Sequence, residues 1–238
     1  MKIGIIAAME EEMRTLLPHL KESVTEQVLG KDYYLGRIEQ HDLVIVQSGI
    51  GKVMSAMSVA ILAHHFQVDV VINTGSAGAV ADQLQIGDVV VASSLAYHDV
   101  DVTAFGYAYG QMAGQPLFFE SNRHLVEAFE RALKKQELPS HIGLIATGDS
   151  FVASQDRIDH IKSHFPEVLA VEMEGAAIAQ AAQNVGKPFV VVRAMSDTAN
   201  HDANISFDEF IVQAGRKSAQ TLLEFLQEVD NHNSLVTK

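Results

Sequence analysis

Strand-length runs of Val and Ile, scarcely broken by polar residues, recur along this chain and limit its fold more than any other feature. Lys2–Ala8, Leu43–Gln47, Val70–Asn73, Asp88–Ala92, Ile142–Ala146 and Phe189–Ala194 each read as a strand buried on both faces, not one alternating between core and water. Between them lie stretches of helical period: Met9–Leu20, Gly51–His65, Asn122–Gln136, Met173–Val185 and Ser206–Val229. In the last of these, Phe207, Phe210, Ile211, Ala214, Leu222, Leu223 and Leu226 fall largely on one side. This alternation predicts an α/β protein in three layers, a central mixed β-sheet flanked by helices. Tyr33–Ile38 alternates weakly and then meets Gln40-His41-Asp42, which suggests an antiparallel hairpin. No linker, repeat or low-complexity tract divides the 238 residues. A single domain over 1–230 is expected, with a polar, frayed tail at 231–238.

Lys and Arg number 17 against 30 Asp and Glu, a net charge of −13. That balance disfavours nucleic acid or an anionic membrane as partner, since both need a basic footprint. The absence of cysteine removes disulfides, thiolate metal sites and thiol nucleophiles. The first strand runs straight into Glu10-Glu11-Glu12 without the cleavage pattern of a secretory signal, and no apolar run approaches the ~18 residues of a membrane span. A cytoplasmic protein is expected. Several well-known signatures fail. Gly49-Ile50-Gly51 begins a dinucleotide fingerprint, but Met54 holds the third glycine's place. Gly51-Lys52 resembles the end of a P-loop, yet Val46 and Val53 stand where Gly and Ser/Thr are required. Gly75-Ser76-Ala77-Gly78 is one residue short of a nucleophile elbow. His98, Asp99 and Asp101, like His201 with Asp202, lack the spacing of a zinc pattern and read as solvated loop residues, so no metal is expected.

The polar and glycine-rich segments fall just beyond the apolar strands: Glu10–Glu12, Ser48–Gly51, Thr74–Gly78, Gly148–Val152 and Met195-Ser196-Asp197. Ligands of open α/β sheets bind beyond the carboxyl ends of strands, so these five segments outline one pocket. Within the first, Glu11 points away from the apolar stripe of the expected helix, and periodicity does not choose between Glu10 and Glu12. Glu172 and Glu174 flank Met173 where a short apolar run, Val168–Gly175, meets an Ala-rich helix. Ionised groups so near a core need partners, although a pair of helix N-terminal charges fits the pattern equally well. Asp197 closes the most apolar strand, four residues after Arg193. It suits either a cap on the next segment or, with its pKa raised by burial, a general acid. Phe151 reads more simply as a core aromatic than as a platform for a planar ligand.

At these residues the chain resembles the 5′-methylthioadenosine/S-adenosylhomocysteine nucleosidases of the nucleoside phosphorylase superfamily. The resemblance runs from Met1 to about Leu226 and is carried by Ala8-Met9-Glu10-Glu11-Glu12, Ser48–Lys52, Asn73–Gly78, His98–Tyr107, Val171–Glu174 and Ser196-Asp197. It implies a nucleoside phosphorylase-like fold and cofactor-free hydrolysis of the N-glycosidic bond of adenosyl thioethers, in methionine salvage and methyl-cycle recycling, and leaves open whether 5′-deoxyadenosine is also a substrate. By the same resemblance, Asp197 protonates the departing adenine at N7 and Glu12 orients and deprotonates the attacking water. Glu174, beside Met173, hydrogen-bonds the ribose hydroxyls. Phe151 stacks on adenine while the backbone of Val152 reads its edge, and Met9, Ile50, Ser76, Ala77, Gly78, Arg193, Ser196 and Phe207 line the rest. The family's homodimer implies that Val102 and Phe105 reach the neighbouring subunit's active site. Ala113 stands where the best-known relatives carry Pro, which leaves the preference between methylthio and homocysteinyl tails open. A nucleoside phosphorylase, a non-catalytic adenosine-binding protein and, less well, a receiver-type domain are the competing readings.

Overall fold

The structure is a computed structural model that describes residues 1–199 and 203–232. Its strands are β1 (Lys2–Ala7), β2 (Lys21–Val28), β3 (Lys31–Ile38), β4 (His41–Gln47), β5 (Val70–Ala79), β6 (Val89–Tyr97), β7 (Phe119–Glu120), β8 (Ser140–Thr147), β9 (Val168–Glu172) and β10 (Phe189–Asp197). Its helices are α1 (Glu10–Met13), α2 (Lys52–His64), α3 (Arg123–Lys135), α4 (Gln155–His164), α5 (Gly175–Asn184) and α6 (Ala203–His232). The expected tail beyond His232 lies outside the described residues, as does His201-Asp202.

The strands form one mixed sheet in the order β2-β3-β4-β1-β5-β10-β6-β8-β9. β4, β1, β5 and β10 run parallel, β10 meets β6 antiparallel, and β6, β8 and β9 run parallel again. β9 then returns to β5 through Gly78↔Val171 and Ala79↔Ala170, so five strands close on themselves. One face packs on α3 and α6, where Phe129 and Phe225 stack with ring centroids 4.0 Å apart. The other packs on α2 and α5 through Val59, Leu62 and the alanines of α5. The expected three layers are present, and so is the hairpin, formed by β3 and β4.

Three expectations change. The helix expected over Met9–Leu20 is a single turn, α1, followed by a 3₁₀ turn at Leu17–His19. Pro18 has no N–H to continue the ladder, yet Met13, Leu16 and Leu20 still reach the core. Thr74–Gly78 and Met195–Asp197, expected as turns beyond their strands, are strand: β5 and β10 pair from Phe189↔Val71 to Asp197↔Gly78. Backbone ladders do not require apolar side chains, so strand pairing carries polar residues directly into the site. Finally, β2, β7 and α4 emerge where no element was expected.

Candidate active site

The ends of β1, β5, β9 and β10 and the loops after β4 and β8 surround a cavity of about 290 Å³. Of the expected residues, Met9, Glu12, Ile50, Ser76, Ala77, Gly78, Phe151, Val152, Met173, Glu174, Ser196, Asp197 and Phe207 line it. Phe151 is 46% exposed and meets Phe207 edge-on at 5.6 Å, so it is a wall of the cavity and not a core aromatic. Val102 and Phe105 lie away from this cavity, in the β6–β7 connection. Phe105 is 81% exposed, and Val102 packs on the α2/α5 side of the core.

Glu12 is the buried member of its acidic trio. As the third helical residue of α1 it turns back over the helix start, the geometry of a capping box. Its Oε2 accepts from the Ala8 N–H at 2.8 Å and the Met9 N–H at 3.1 Å. Its Oε1 accepts from the Ser76 N–H at 3.0 Å and the Ser76 hydroxyl at 3.2 Å. Glu10 instead pairs with Arg14 on the surface. Glycine at 75 makes room for this arrangement, because a Cβ there would lie 2.7 Å from Glu12 Oε1 and 2.3 Å from Arg193 Nη1.

Asp197 enters the cavity at a register shift between Met195 and Asp197, and such a bulge re-aims a side chain. Burial pushes its carboxyl pKa up, opposed by the Ala199 N–H at 2.8 Å and the Ser196 hydroxyl at 2.9 Å. Glu174 precedes α5 and accepts from the Gly51 N–H at 2.9 Å. Gly51 presents that N–H from a left-handed conformation at φ +96°. Burial raises the Glu174 carboxyl to about 7; Arg193 and the Gly51 N–H oppose this, while Glu172 and Glu12 add to it.

Arg193 is not part of the wall. Fully buried behind it, it donates to Asn73 Oδ1 at 2.6 Å and to Glu172, and lies 3.4 Å from Glu174. Burial alone would lower its pKa, but Glu172, Glu174 and Glu12 together hold the guanidinium above its ordinary value. Ala8, Ser150, Val171 and Glu172 line the cavity without having been singled out as site residues. For Glu172 the available signal was the apolar strand ending in two carboxylates. Ser218 of α6, whose hydroxyl accepts from the Gly75 N–H at 3.1 Å, had no local signal at all. His98, expected as a solvated loop residue, is buried against Gly148, where a Cβ would fall 2.4 Å from its ring.

The fold and this carboxylate-lined cavity define a class. Residues 2–227 match the phosphorylase superfamily, and the chain belongs to that superfamily. Among solved structures, the S-adenosylhomocysteine nucleosidase of Streptococcus pyogenes in complex with 5-methylthiotubericidin aligns with a TM-score of 0.95 at 65% identity, covering 96% of this chain and 97% of that one. The 5′-methylthioadenosine/S-adenosylhomocysteine nucleosidase of S. pneumoniae with the transition-state inhibitor MT-ImmA gives 0.94 at 66% identity, covering 97% and 100%. The enzyme of that name from Lysinibacillus sphaericus is 46% identical over 225 residues, 94% of this chain and 98% of its own length. Within the superfamily, the chain is a member of the 5′-methylthioadenosine/S-adenosylhomocysteine nucleosidase family.

Proposed function

We propose that the protein hydrolyses the N-glycosidic bond of 5′-methylthioadenosine and S-adenosylhomocysteine, releasing adenine and the 5-thio-ribose. The observation that carries this reading is one cavity holding a buried carboxyl with a raised pKa, Asp197, beside a carboxylate fixed by four donors, Glu12. Glycosidic cleavage passes through an oxocarbenium-like state and uses one carboxyl as acid and another as base. Asp197 gives its proton to N7 of adenine as the C1′–N9 bond breaks. Glu12 takes a proton from the water whose oxygen bonds to C1′. Glu174 accepts from the ribose hydroxyls and sets negative charge beside the developing cation. The half-exposed ring of Phe151 stacks on adenine, the Val152 backbone reads its edge, and Met9, Ile50, Ser76, Ala77, Gly78, Met173, Ser196 and Phe207 shape the remainder.

The protein acts as a homodimer in which Val102 and Phe105 close the tail pocket of the neighbouring subunit. An aromatic ring as exposed as Phe105 supports this, as does a surface hollow lined by exposed Val53 and Met112 together with Tyr97 and Val100. A cytoplasmic setting suits this chemistry, and no helix among the described residues is long and apolar enough to cross a membrane. The test is release of free adenine from either thioether by the purified protein; binding without adenine release would make it an adenosine-binding protein instead.

A further inference from the structure

Glu172 is a buried charge to which the mechanism above gives no task. It closes β9 two residues before Glu174, and its contacts reach three other elements. Its Oε2 accepts from the Glu174 N–H at 3.0 Å, from the Gly175 N–H at 2.7 Å and from Arg193 Nη2. Its Oε1 accepts from the Thr147 hydroxyl at the end of β8, and that hydroxyl accepts from the Ala176 N–H at 2.8 Å. Oε2 is thus saturated by three protein donors, and Oε1 is tied to β8 by a fourth.

Arg193 is the cation that Glu12, Glu172 and Glu174 share. Its guanidinium is in close contact with Glu172 and stands 3.4 Å from Glu174, beyond a normal charge-assisted bond. A guanidinium free to turn would close on Glu174, because a buried cation seeks the nearest unsatisfied carboxylate. Such closure would occupy Glu174 Oε2. We infer that Glu172 is a positioning residue: by holding Arg193 and the N–H groups of the turn after β9, it keeps Glu174 Oε2 open to a ribose hydroxyl. This rests on the proposed role of Glu174 at the ribose. The charges facing Glu174 are Glu172 from β9, Arg193 from β10 and Glu12 from α1, and the Gly51 N–H faces it from the turn before α2. Of the carboxylates, Glu172 contributes most to its raised pKa.

Glu172→Gln keeps the shape and the acceptor for both N–H groups while removing the charge that holds Arg193. We expect kcat/KM for 5′-methylthioadenosine to fall by about ten- to a hundredfold, the worth of a hydrogen bond to a charged group. The 2′-deoxy analogue should lose less, so the preference for ribose over 2′-deoxyribose shrinks. With Arg193 released toward Glu174 and one like charge removed, the acid limb of kcat/KM should move to lower pH. Glu172→Asp keeps the charge and shortens the reach. It should leave that limb in place while the ribose preference shrinks, and it carries the test if the Gln variant does not fold. A Gln variant with wild-type preference and pH limb, altered only in melting temperature, would reduce Glu172 to a structural ion pair, as would an Asp variant with unchanged preference. Glu174→Gln tests the underlying reading separately. It should abolish the ribose preference, and if that preference survives, the role of Glu174 fails whatever Glu172 does.

Discussion

Asp197 and Glu12 are carboxyl groups in one cavity whose surroundings suit opposite tasks. Asp197 receives two donors against a burial penalty that favours its proton, whereas Glu12 receives four donors on its two oxygens. Asp197→Asn retains both contacts, with the amide oxygen facing the Ala199 N–H and the amide NH₂ facing the Ser196 hydroxyl. Turnover should nevertheless fall by ~10²–10⁴, because the transferable proton is gone. Stability should move the other way. A carboxyl whose folded pKa is raised contributes stability below its unfolded value, and that contribution is lost as pH rises through the folded one. The Asn variant should therefore melt above wild type at alkaline pH, with the gap narrowing toward acid pH. A lower Tm at every pH would mean that Asp197 is held by the fold as an ion. Ser196→Ala tests the tuning. It removes a donor that lowers the Asp197 pKa, so the alkaline limb of kcat/KM, where the acid loses its proton, should shift to higher pH. A shift downward would show that Ser196 serves Asp197 in some other way.

At the scale of elements, the β6–β7 connection carries the test of assembly. If Phe105 serves a partner's tail pocket, Phe105→Ala should raise KM for 5′-methylthioadenosine more than for adenosine, which has no thioether to cover. A fully active monomer at assay concentration would remove the connection from catalysis. How much of the architecture the sequence discloses follows from burial. β10 is buried along its whole length, and its first residues, Phe189–Val192, read as an apolar run. β2, with the sequence KESVTEQV, lies mostly exposed at the sheet edge and offers no pattern to read. α4 buries only Ile158 and Ile161, too little to mark a helical stripe. The site was legible as a set of segments, but its wiring was not. That Arg193 lies behind the wall and leans on Glu172 depends on β9 and β10 meeting across β5, which no local spacing encodes. The choice of Glu12 over Glu10 likewise depended on Ser76, which lies on β5.

At the scale of the whole molecule, the question is why a member of the phosphorylase superfamily should use water. A phosphate attacking C1′ needs backbone N–H donors and a cation beside the sugar. Here the Ala8, Met9 and Ser76 N–H groups are filled by the protein's own carboxylate, Glu12. The Gly51 N–H is filled by Glu174, and Arg193 is held by Glu172 and Asn73. Lys52, a further nearby cation, is turned to Asp99 at 2.8 Å and lies 3.8 Å from Asp149. An incoming phosphate would thus meet Glu12 at close range in a partly desolvated cavity. Two unit charges of like sign at ~4 Å repel by about 4 kcal/mol at an effective dielectric near 20, a penalty a neutral water escapes. Cleavage of 5′-methylthioadenosine should therefore run unchanged in phosphate-free buffer and yield free sugar, with no sugar 1-phosphate when phosphate is added. Glu12→Gln should cost ~10²-fold or more in turnover, since the amide cannot take the water's proton, while Glu11→Gln should change little. Sugar 1-phosphate among the products, or a Glu11 requirement exceeding that of Glu12, would show that the nest closed by Glu12 is not what excludes phosphate.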